Sequence, residues 1–350
     1  MQELFDITFL FHQRGSVKHK LNCTYSSSIS RIRINAIGLS ILGPSDLRTM
    51  YSSIKRCDVF VSSFILNSYT LVGLVFCKLF RKKVVVWEEW NVIFPEFSAK
   101  VLYTLMRILC RGIDAFFVLG EVQKSLLTKL GVVAERIFVA NEYPGHIYSE
   151  VSPREVSLPF DENTQIIMYM GRFVEFKGVE YLIRAFGIVE RQRQNAALLI
   201  VGYGPLKDHL EAVSQSLGIK RIHFAGDITD VHVRAYLLKR SNMVVVPSIV
   251  SKTPPRQEGG PLVVLEALSA GKPVICTNAT GSAAAFIKDG INGYMVPQKN
   301  VDALADKIKR LLDTPIVPTR VLSTFREIKG YDHQVEQMQR AVNYCLKRES

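Results

Sequence analysis

Apolar residues in the first 150 positions alternate between short continuous runs and longer segments with helical spacing. The short runs predict strands at Phe5–Phe11, Ile32–Ile41, Val59–Ser63, Val84–Trp87, Ala115–Leu119 and Ile137–Ala140. The longer segments predict helices at Asp46–Lys55, Ser68–Phe80, Ser98–Arg111 and Glu121–Leu130. Continuous apolar strands separated by helices are typical of a parallel sheet that is covered on both faces. Residues 1–150 are therefore predicted to form an α/β domain.

The alternation stops once and then resumes. Residues 144–164 contain three prolines and no strong period, which predicts a connection between domains. Further strands are predicted at Ile166–Met170, Ala197–Val201, Ile222–Phe224, Met243–Pro247 and Pro273–Cys276. Helices are predicted at Val179–Gln192, Pro205–Leu217, Val231–Ser241, Pro261–Ala270 and Val301–Leu312. Residues 151–330 thus form a second doubly wound unit.

Two Rossmann-like, doubly wound domains with parallel sheets would face a central crevice at the carboxyl ends of their strands. The last segment, 331–350, is predicted to contain a helix over about His333–Lys347 that could cross back to the first domain. Composition agrees with a folded two-domain chain, since 48% of its 350 residues are hydrophobic and 22% are charged.

The cysteines and the N-terminus indicate a cytoplasmic protein. Six cysteines are scattered without a C-x-x-C pair, which argues against a zinc site and a disulfide framework. No basic region precedes an apolar run at the N-terminus, so no signal peptide is predicted. The most apolar stretch, Leu71–Phe80, is about half the length that spans a bilayer and contains Lys78.

The net charge of +12 is spread along the chain, with local basic clusters. Lys78, Arg81, Lys82 and Lys83 form one cluster, and Lys100, Arg107 and Arg111 follow along an apolar helix. This stretch fits a peripheral face on anionic lipid at the inner membrane face and fits equally an ordinary solvated basic face. We expect no nucleic-acid partner, because the sequence lacks an aromatic–basic platform and a recognition-helix pattern.

Two glutamates bracket a predicted helix start in the second domain. Glu258 precedes Gly259, Gly260, Pro261 and Leu262, and Glu266 follows more than one turn later. Proline suits the first helical position, the glycines let a ligand approach the backbone, and free amides at a helix start attract phosphate. If a diphosphate bound at these amides, one of the two carboxylates would be available to each of the two groups that the diphosphate links. A bare pair with this spacing would usually be two ordinary helix-end glutamates, but the surrounding sequence favours a ligand site.

The first strand–helix turn of the second domain supplies the complementary charge. Arg172 and Lys177 follow the strand that ends at Met170, so both are predicted to lie at its carboxyl end. A guanidinium and an ammonium beside helix amides make a metal-free clamp for a diphosphate. Either residue alone would be an ordinary surface charge.

Two further turns are predicted on the rim of the same crevice. Gly204 and Pro205 end a Gly-Tyr-Gly-Pro turn after a strand, and Gly226 and Ile228 follow the next strand, where backbone groups could contact a nucleobase. The chain contains no D-x-D pair, so neither a metal nor another cofactor is expected. P-loop and G-x-S-x-G motifs are absent too, which excludes those enzyme classes.

Five motifs follow one another along Gln165–Asp313. They are Gly171-Arg172…Lys177-Gly178, Gly202-Tyr-Gly204-Pro205, Pro247-Ser248, Glu258-Gly-Gly-Pro-Leu…Glu266-Ala-Leu-Ser-Ala-Gly-Lys-Pro273 and Asp289-Gly-Ile-Asn-Gly293. Together they resemble the C-terminal domain of GT-B glycosyltransferases of family 4, the group 1 type. The resemblance implies a domain that binds a sugar nucleotide and an enzyme that retains the anomeric configuration without a metal.

The resemblance also implies residue roles. Arg172 and Lys177 would hold the diphosphate and stabilise its charge as the sugar leaves. Glu258 would contact the donor sugar, and Glu266 would accept hydrogen bonds from the ribose hydroxyls. Backbone amides from Gly259 to Leu262 would contact phosphate and sugar. Electrostatic stabilisation of the leaving group would then be the main catalytic contribution.

The first domain departs from the family pattern. It begins Met-Gln-Glu-Leu-Phe-Asp-Ile-Thr, without the usual glycine-rich acceptor loop, so its first βα unit is missing or remodelled. Where the family commonly has a histidine, the chain reads Trp87-Glu88-Glu89-Trp90. Glu88 or Glu89 could replace that histidine, with Glu89 as the catalytic candidate, or both could pair with nearby lysines. Ala285 stands where the family often has glutamate.

These observations predict a retaining, metal-independent hexosyltransferase that moves a sugar from a nucleotide-diphosphate sugar to a hydroxyl acceptor. The basic–apolar stretch points to a lipid-linked saccharide as that acceptor, in cell-surface polysaccharide or glycolipid synthesis. The alternative is a catalytically silent GT-B subunit that binds a nucleotide sugar or supports a partner enzyme.

Overall fold

The computed structural model describes residues 44–88, 96–252, 255–256, 258–260 and 262–346, which form two compact α/β units. Within the described part, unit 1 contains residues 44–88, 96–140 and 332–346, and unit 2 contains residues 141–331 with the gaps given above. The strands predicted at Phe5–Phe11 and Ile32–Ile41 lie outside the described residues, as do Glu89 and Pro261.

Unit 1 is built on a parallel sheet in which strands follow one another in chain order. Its elements are α1 (Pro44–Arg56), β1 (Val59–Ser63), α2 (Ser68–Leu79), β2 (Lys83–Glu88), α3 (Glu96–Arg111), β3 (Ala115–Val118), α4 (Glu121–Lys129) and β4 (Ile137–Val139). The strand order is β1-β2-β3-β4, with Phe60 opposite Val84 and Val86 opposite Phe116. Right-handed crossovers between neighbouring parallel strands place α2, α3 and α4 on one face.

A helix from the end of the chain covers the other face of this sheet. Residues 332–346 of the last helix, Tyr331–Leu346, belong to unit 1, and Ala341 and Cys345 pack in one cluster with Val85 and Phe117. Side chains alternate across a strand, so Phe116 points to the face that carries α2, α3 and α4.

Unit 2 is built on a parallel sheet of six described strands. Its elements are β5 (Gln165–Met170), α5 (Val179–Gln192), β6 (Ala196–Val201), α6 (Lys207–Ser216), β7 (Ile222–Gly226), α7 (Val231–Arg240), β8 (Met243–Val246), β9 (Ser251–Lys252), β10 (Pro255–Arg256), α8 (Leu262–Ser269), β11 (Val274–Thr277), β12 (Gly293–Val296), α9 (Val301–Asp313), α10 (Pro318–Arg326) and the helix described above, α11 (Tyr331–Leu346), whose remaining residues lie in unit 1. Strands β9 and β10 form a separate antiparallel pair.

The strand order of the large sheet, β12-β11-β8-β5-β6-β7, determines where a ligand can bind. From β5 the chain adds β6 and β7 on one side, and β8, β11 and β12 are then added on the other side. The switch point therefore lies between β5 and β8, and such a point opens a crevice at the carboxyl ends of the strands. Core residues alternate along each strand, so Ile167 and Leu198 pack with α5 and α9, whereas Ile166 and Leu199 pack with α7 and α8. Both faces of the sheet are therefore buried.

The segment predicted as a connection between domains, residues 144–164, packs onto unit 2. The Tyr148 backbone N–H donates to Ser269 Oγ at 3.0 Å, and the Arg154 N–H donates to the His232 carbonyl at 3.0 Å. Tyr148 is 5% exposed and belongs to the core cluster that contains Val264. The segment forms neither a helix nor a strand, so its apolar residues do not recur at a regular spacing; it is held by individual contacts such as those of Tyr148 and Arg154.

No helix in the described part of the chain has both the length and the apolar character that crossing a membrane requires.

Candidate functional site

The predicted clamp residues follow the two strands on either side of the switch point. Arg172 and Lys177 lie in the connection after β5, and Ser248 and Ile249 follow β8. The carboxyl ends of parallel strands meet at one edge of a sheet, so these connections are neighbours. Unit 2 therefore contains a candidate site within its own fold.

Gly178 brings the Lys177 turn against the end of β8. Residues Glu175–Lys177 form a 3₁₀ turn, and Gly178 ends it with a left-handed φ of 64°. A Cβ on Gly178 would collide with the Pro247 carbonyl oxygen, so only glycine allows this approach. The Ile249 N–H donates to the Phe176 carbonyl at 2.8 Å and fixes the contact.

Lys177 and Glu258 form a largely buried ion pair at this position. Lys177 Nζ lies 2.8 Å from Glu258 Oε1 and 2.6 Å from Oε2, and the two side chains are 13% and 10% exposed. Ser248, which is fully buried, donates its hydroxyl to Glu258 Oε2 at 3.1 Å. The predicted cation and the predicted sugar-contacting carboxylate are thus in direct contact.

Arg172 and Lys177 both lie near the Phe176 ring. The Arg172 guanidinium carbon and Lys177 Nζ are 5.9 Å and 5.8 Å from the centre of the Phe176 ring. Tyr169 donates its hydroxyl to the Arg172 carbonyl at 2.9 Å. Burial, and secondarily the Glu258 charge, raise the pKa of Tyr169, so Tyr169 stays neutral there. The connection after β5 therefore carries two cations, and one of them is paired with Glu258.

The two glycines of the Glu-Gly-Gly motif lie against the 3₁₀ turn Gly281–Phe286. The Gly259 carbonyl accepts from Ser282 N at 2.8 Å and from Ser282 Oγ at 3.2 Å. A Cβ on Gly260 would collide with Ser282 Oγ and lie 2.9 Å from Glu142 Oε2. Helix α8 begins two residues later at Leu262, whose side chain is exposed. The first amides of α8 have no acceptor within the helix and can donate to a ligand.

The glycines of the other two motifs bring neighbouring turns into contact. The Phe173 N–H donates to the Tyr203 carbonyl at 2.7 Å, and a Cβ on Gly204 would lie 2.7 Å from Phe173 N. The Gly202 N–H donates to the Gly226 carbonyl at 2.8 Å. Pro205 is exposed, and Ile228 packs against the core beneath.

Glu266 forms a second ion pair, with a residue that the sequence did not indicate. Arg234 Nη2 lies 2.7 Å from Glu266 Oε2, and their side chains are 26% and 12% exposed. The Arg234 guanidinium also lies 5.8 Å from the centre of the Tyr148 ring. Burial raises the pKa of Glu266, whereas Arg234 and then His146 act in the opposite direction.

The carboxylates at the end of β2 belong to unit 1. Glu88 is 1% exposed, and its Oε2 accepts from the Ile65 N–H at 3.0 Å. This bond ties the turn after β1 to the end of β2. Glu89, the predicted catalytic candidate, lies outside the described residues.

Within the described residues, no group of three His, Cys, Asp or Glu side chains is arranged to hold a metal ion. Five cysteines in that part of the chain are free thiols. Burial raises the pKa of the Cys77, Cys110 and Cys276 thiols to about 12.

The structure brings Arg172, Lys177 and Glu258 together and places Glu266 further along α8. Sequence reasoning did not assign Arg234, Tyr148 or Glu142. In the sequence, Arg234 stands out only by its position: it lies in the first turn of a helix that follows a strand, at the edge of the sheet where ligands bind.

Comparison with known proteins adds a family to this geometry. Residues 154–327 match the family model described as glycosyl transferases group 1. An uncharacterized glycosyltransferase of Methanocaldococcus jannaschii is 34% identical over 157 residues, which cover 45% of this chain and 38% of that protein. The GDP-mannose-dependent alpha-(1-6)-phosphatidylinositol monomannoside mannosyltransferase of Mycobacterium tuberculosis is 29% identical over 147 residues, which cover 42% and 38%. The matches thus span well under half the length of these two relatives.

The fold extends the likeness beyond the matched segment. The crystal structure of HepE from Anabaena in complex with UDP aligns with a TM-score of 0.64 at 19% identity. The alignment covers 87% of this chain and 80% of that chain. Two α/β units with parallel sheets are the architecture of GT-B glycosyltransferases, so the predicted fold class is confirmed.

Proposed function

We propose that the chain transfers a sugar from a nucleoside-diphosphate sugar to a hydroxyl acceptor, because residues 154–327 match the family model described as glycosyl transferases group 1 and the chain has the GT-B fold. The observation that carries the proposal is the buried pair of Lys177 with Glu258, with Arg172 beside it at the switch point of unit 2. A cation suits the diphosphate, and a carboxylate suits the sugar hydroxyls.

The diphosphate leaves the sugar with added negative charge, and Arg172 and Lys177 are the groups that stabilise it. Preorganised cations in a buried site need no reorientation during the reaction, which makes this the main catalytic contribution. Before donor binding, the Lys177 charge is balanced by Glu258. When a diphosphate takes over part of that balance, Glu258 can accept a hydrogen bond from the sugar.

We propose that transfer retains the anomeric configuration and requires no metal or other cofactor. Metal independence is supported by the two cations, which supply positive charge where other enzymes place a divalent ion. Retention is carried over from the resemblance of the five motifs in unit 2 to the retaining family. The first amides of α8, after Gly259 and Gly260, add donors for phosphate and sugar.

The test measures release of nucleoside diphosphate from a panel of UDP-, GDP- and ADP-sugars. A thermal-shift screen identifies the donor first, because a ligand at about 100 times its Kd adds roughly 2.7 kcal/mol of stability. Lys177→Ala and Glu258→Ala are each expected to lower turnover by about 100-fold or more. Glu327→Ala is the matched control, since it removes a carboxylate from an exposed pair with Lys288.

Undiminished turnover in both site variants would contradict the assignment. The second candidate function, a catalytically silent subunit, keeps its support from the departures in the first domain. Donor binding without turnover for every donor and acceptor supplied to the purified chain would favour that candidate.

The acceptor proposal rests on two exposed apolar stripes in unit 1. The exposed apolar side chains on α2 and α3 are 38% to 75% exposed, and they are Leu71, Val75, Leu79, Val101, Leu105 and Ile108. Spacings of three and four residues place each set on one face of its helix. Both helices cover the same face of the sheet, and a Cβ on Gly112 after α3 would lie 3.7 Å from Lys78 Cε of α2.

Basic side chains accompany these stripes. Lys78 and Arg81 are exposed at the end of α2, and Arg107 and Arg111 are exposed on α3. Apolar side chains flanked by cations fit a bilayer that carries anionic lipid, where each Lys or Arg near the surface contributes about 1 kcal/mol. We therefore propose peripheral attachment of a cytoplasmic enzyme to the inner membrane face and a lipid-linked saccharide as acceptor.

Vesicle co-sedimentation tests the membrane proposal separately from catalysis. The chain is expected to bind vesicles of phosphatidylcholine with phosphatidylglycerol and to bind phosphatidylcholine alone weakly. Arg107→Gln with Arg111→Gln should weaken binding by about 30-fold, which corresponds to about 2 kcal/mol. Val101→Ser with Ile108→Ser should weaken it too, whereas Val317→Ser, an exposed valine of unit 2, should not. No binding to anionic vesicles would remove this part of the proposal.

A further inference from the structure

The ion pair between Arg234 and Glu266 leaves one carboxylate oxygen for a ligand. Arg234 Nη2 contacts Oε2 at 2.7 Å, and among the described residues no hydrogen bond reaches Oε1. Glu266 is 9% exposed as a residue, so its position is set by the protein. Because Arg234 holds Oε2 of this buried carboxylate, Oε1 has a fixed direction and can accept a hydrogen bond from a ligand.

Several contacts hold the Arg234 guanidinium in place. Its Nε donates to Met170 Sδ at 3.3 Å, and its central carbon lies 5.8 Å from the centre of the Tyr148 ring. The helix that carries it is capped by Asp230, whose Oδ1 accepts from His232 N at 2.9 Å and Val233 N at 3.0 Å. Arg234 is therefore a positioned group on the first turn of α7.

Tyr148 provides an independent indication that a ligand binds at this cluster. Its residue is 5% exposed, and its hydroxyl has no hydrogen-bond partner among the described residues. A buried hydroxyl without a partner costs free energy, and the cost disappears when a ligand supplies one. Burial raises the pKa of Tyr148 to about 12, so it acts as a neutral hydroxyl.

We propose that Arg234 is a positioning residue: it holds Glu266 in the orientation in which the free Oε1 can accept from the donor ribose, the contact that the family resemblance implies for Glu266. Arg234 holds Oε2, and Oε1 accepts from a ribose hydroxyl. The unpartnered Tyr148 hydroxyl completes this nucleoside side of the site. The inference rests on the proposed function, because it assigns the ligand of Glu266 as a nucleotide.

Charge predicts how nucleotide affinity depends on pH. The charged and titratable groups that face Glu266 are Arg234, His146 and Tyr148. A protonated Glu266 cannot accept as a carboxylate, so affinity falls as pH drops through its pKa. Burial raises that pKa, and Arg234 opposes the rise. A neutral residue at 234 therefore moves the loss of affinity to higher pH.

The experiment is calorimetric titration with the nucleoside diphosphate that binds best among UDP, GDP and ADP, and with its 2′-deoxy and 3′-deoxy forms. Wild type is expected to prefer the ribonucleotide over at least one deoxy form by about 10- to 100-fold, the range of a hydrogen bond to a charged group. Arg234→Met should reduce the preference for the ribonucleotide to a few-fold, and nucleotide affinity should begin to fall at a higher pH than in wild type. Arg234→Lys should partly restore the ribose preference and the pH at which affinity falls. Arg184→Met, in an exposed pair with Glu180, is the matched control.

A double-mutant cycle separates positioning from a structural role and keeps the test informative if Arg234→Met folds poorly. Arg234→Met with Glu266→Gln removes both buried charges. Positioning predicts that the double variant has the same ribose preference as Glu266→Gln alone, because Arg234 acts through Glu266. An unchanged preference and pH limb in Arg234→Met, or an additive loss in the double variant, would overturn the inference. Failure of wild type to bind any nucleotide would instead contradict the proposed function.

Discussion

Replacement of Lys177 by methionine should destabilise unit 2 far more than the same change in an exposed ion pair. The side chains of Lys177 and Glu258 are 13% and 10% exposed, and their closest atoms are 2.6 Å apart. Removing one partner from a buried pair leaves the other charge uncompensated, which costs about 3 kcal/mol or more. Lys288 pairs with Glu327 at 2.5 Å, but these side chains are 47% and 63% exposed. Lys288→Met should therefore cost at most about 1 kcal/mol.

The double variant Lys177→Met with Glu258→Gln separates stability from function. With both charges removed, no buried charge is left alone, so most of the stability should return. Donor turnover should not return, because the cation for the diphosphate and the carboxylate for the sugar are both missing. Stability and activity should thus change in opposite directions between the single and the double variant.

Thermal unfolding provides the assay, with donor turnover measured on the same preparations. About 3 kcal/mol corresponds to a fall in Tm of roughly 6 to 12 °C for a domain of this size. A loss of stability in Lys177→Met no larger than in Lys288→Met, or a double variant less stable than both single variants, would show that the pair of Lys177 and Glu258 does not behave as a buried ion pair.

Three other predictions follow from single features. Gly178→Ala should lower stability and donor turnover together, because Gly178 has a φ of 64° and a Cβ would displace the turn from Pro247; a Tm and turnover equal to wild type would contradict this. Burial, followed by the charges of Arg240 and Lys239, lowers the pKa of Lys272 from 10.5 to about 8, so the unfolded chain binds more protons between these values. Stability should therefore rise with pH across that window in wild type and stay flatter in Lys272→Met, as denaturant titration can show. EDTA should leave donor turnover unchanged, and a loss restored by Mg²⁺ would contradict metal independence.

The sequence predicted what depends on local pattern. Strands β3, β6 and β8 are continuous apolar runs, and continuous runs are what a sheet buried on both faces requires. Some helices begin at other residues than the sequence predicts, because tertiary contacts determine their first residue. The helix predicted from Pro205 begins at Lys207, because Gly204 and Leu206 are held by the Phe173 backbone. Arg172 and Lys177 could be predicted as site residues because these two charged residues, with Gly171 and Gly178, come directly after the strand that ends at Met170.

The partners of the predicted residues could not be read from the sequence. Arg234 lies 32 positions before Glu266 on another helix, and its neighbours have ordinary helical spacing. Tyr148 belongs to a segment without a period, and its burial depends on Ser269, which is 121 positions away. Glu88 is an acidic residue and yet buried, and its Oε2 accepts from the Ile65 N–H, 23 positions away. Such contacts are set by the packing of distant elements.

A crystal structure of the chain with the nucleoside diphosphate that binds best would show directly whether the switch point of unit 2 binds the donor. We expect phosphate oxygens within about 3 Å of Lys177 Nζ and an Arg172 nitrogen, and a ribose hydroxyl at hydrogen-bonding distance from Glu266 Oε1. A nucleotide bound away from the carboxyl ends of β5 and β8, or with its ribose directed away from Glu266, would contradict this expectation.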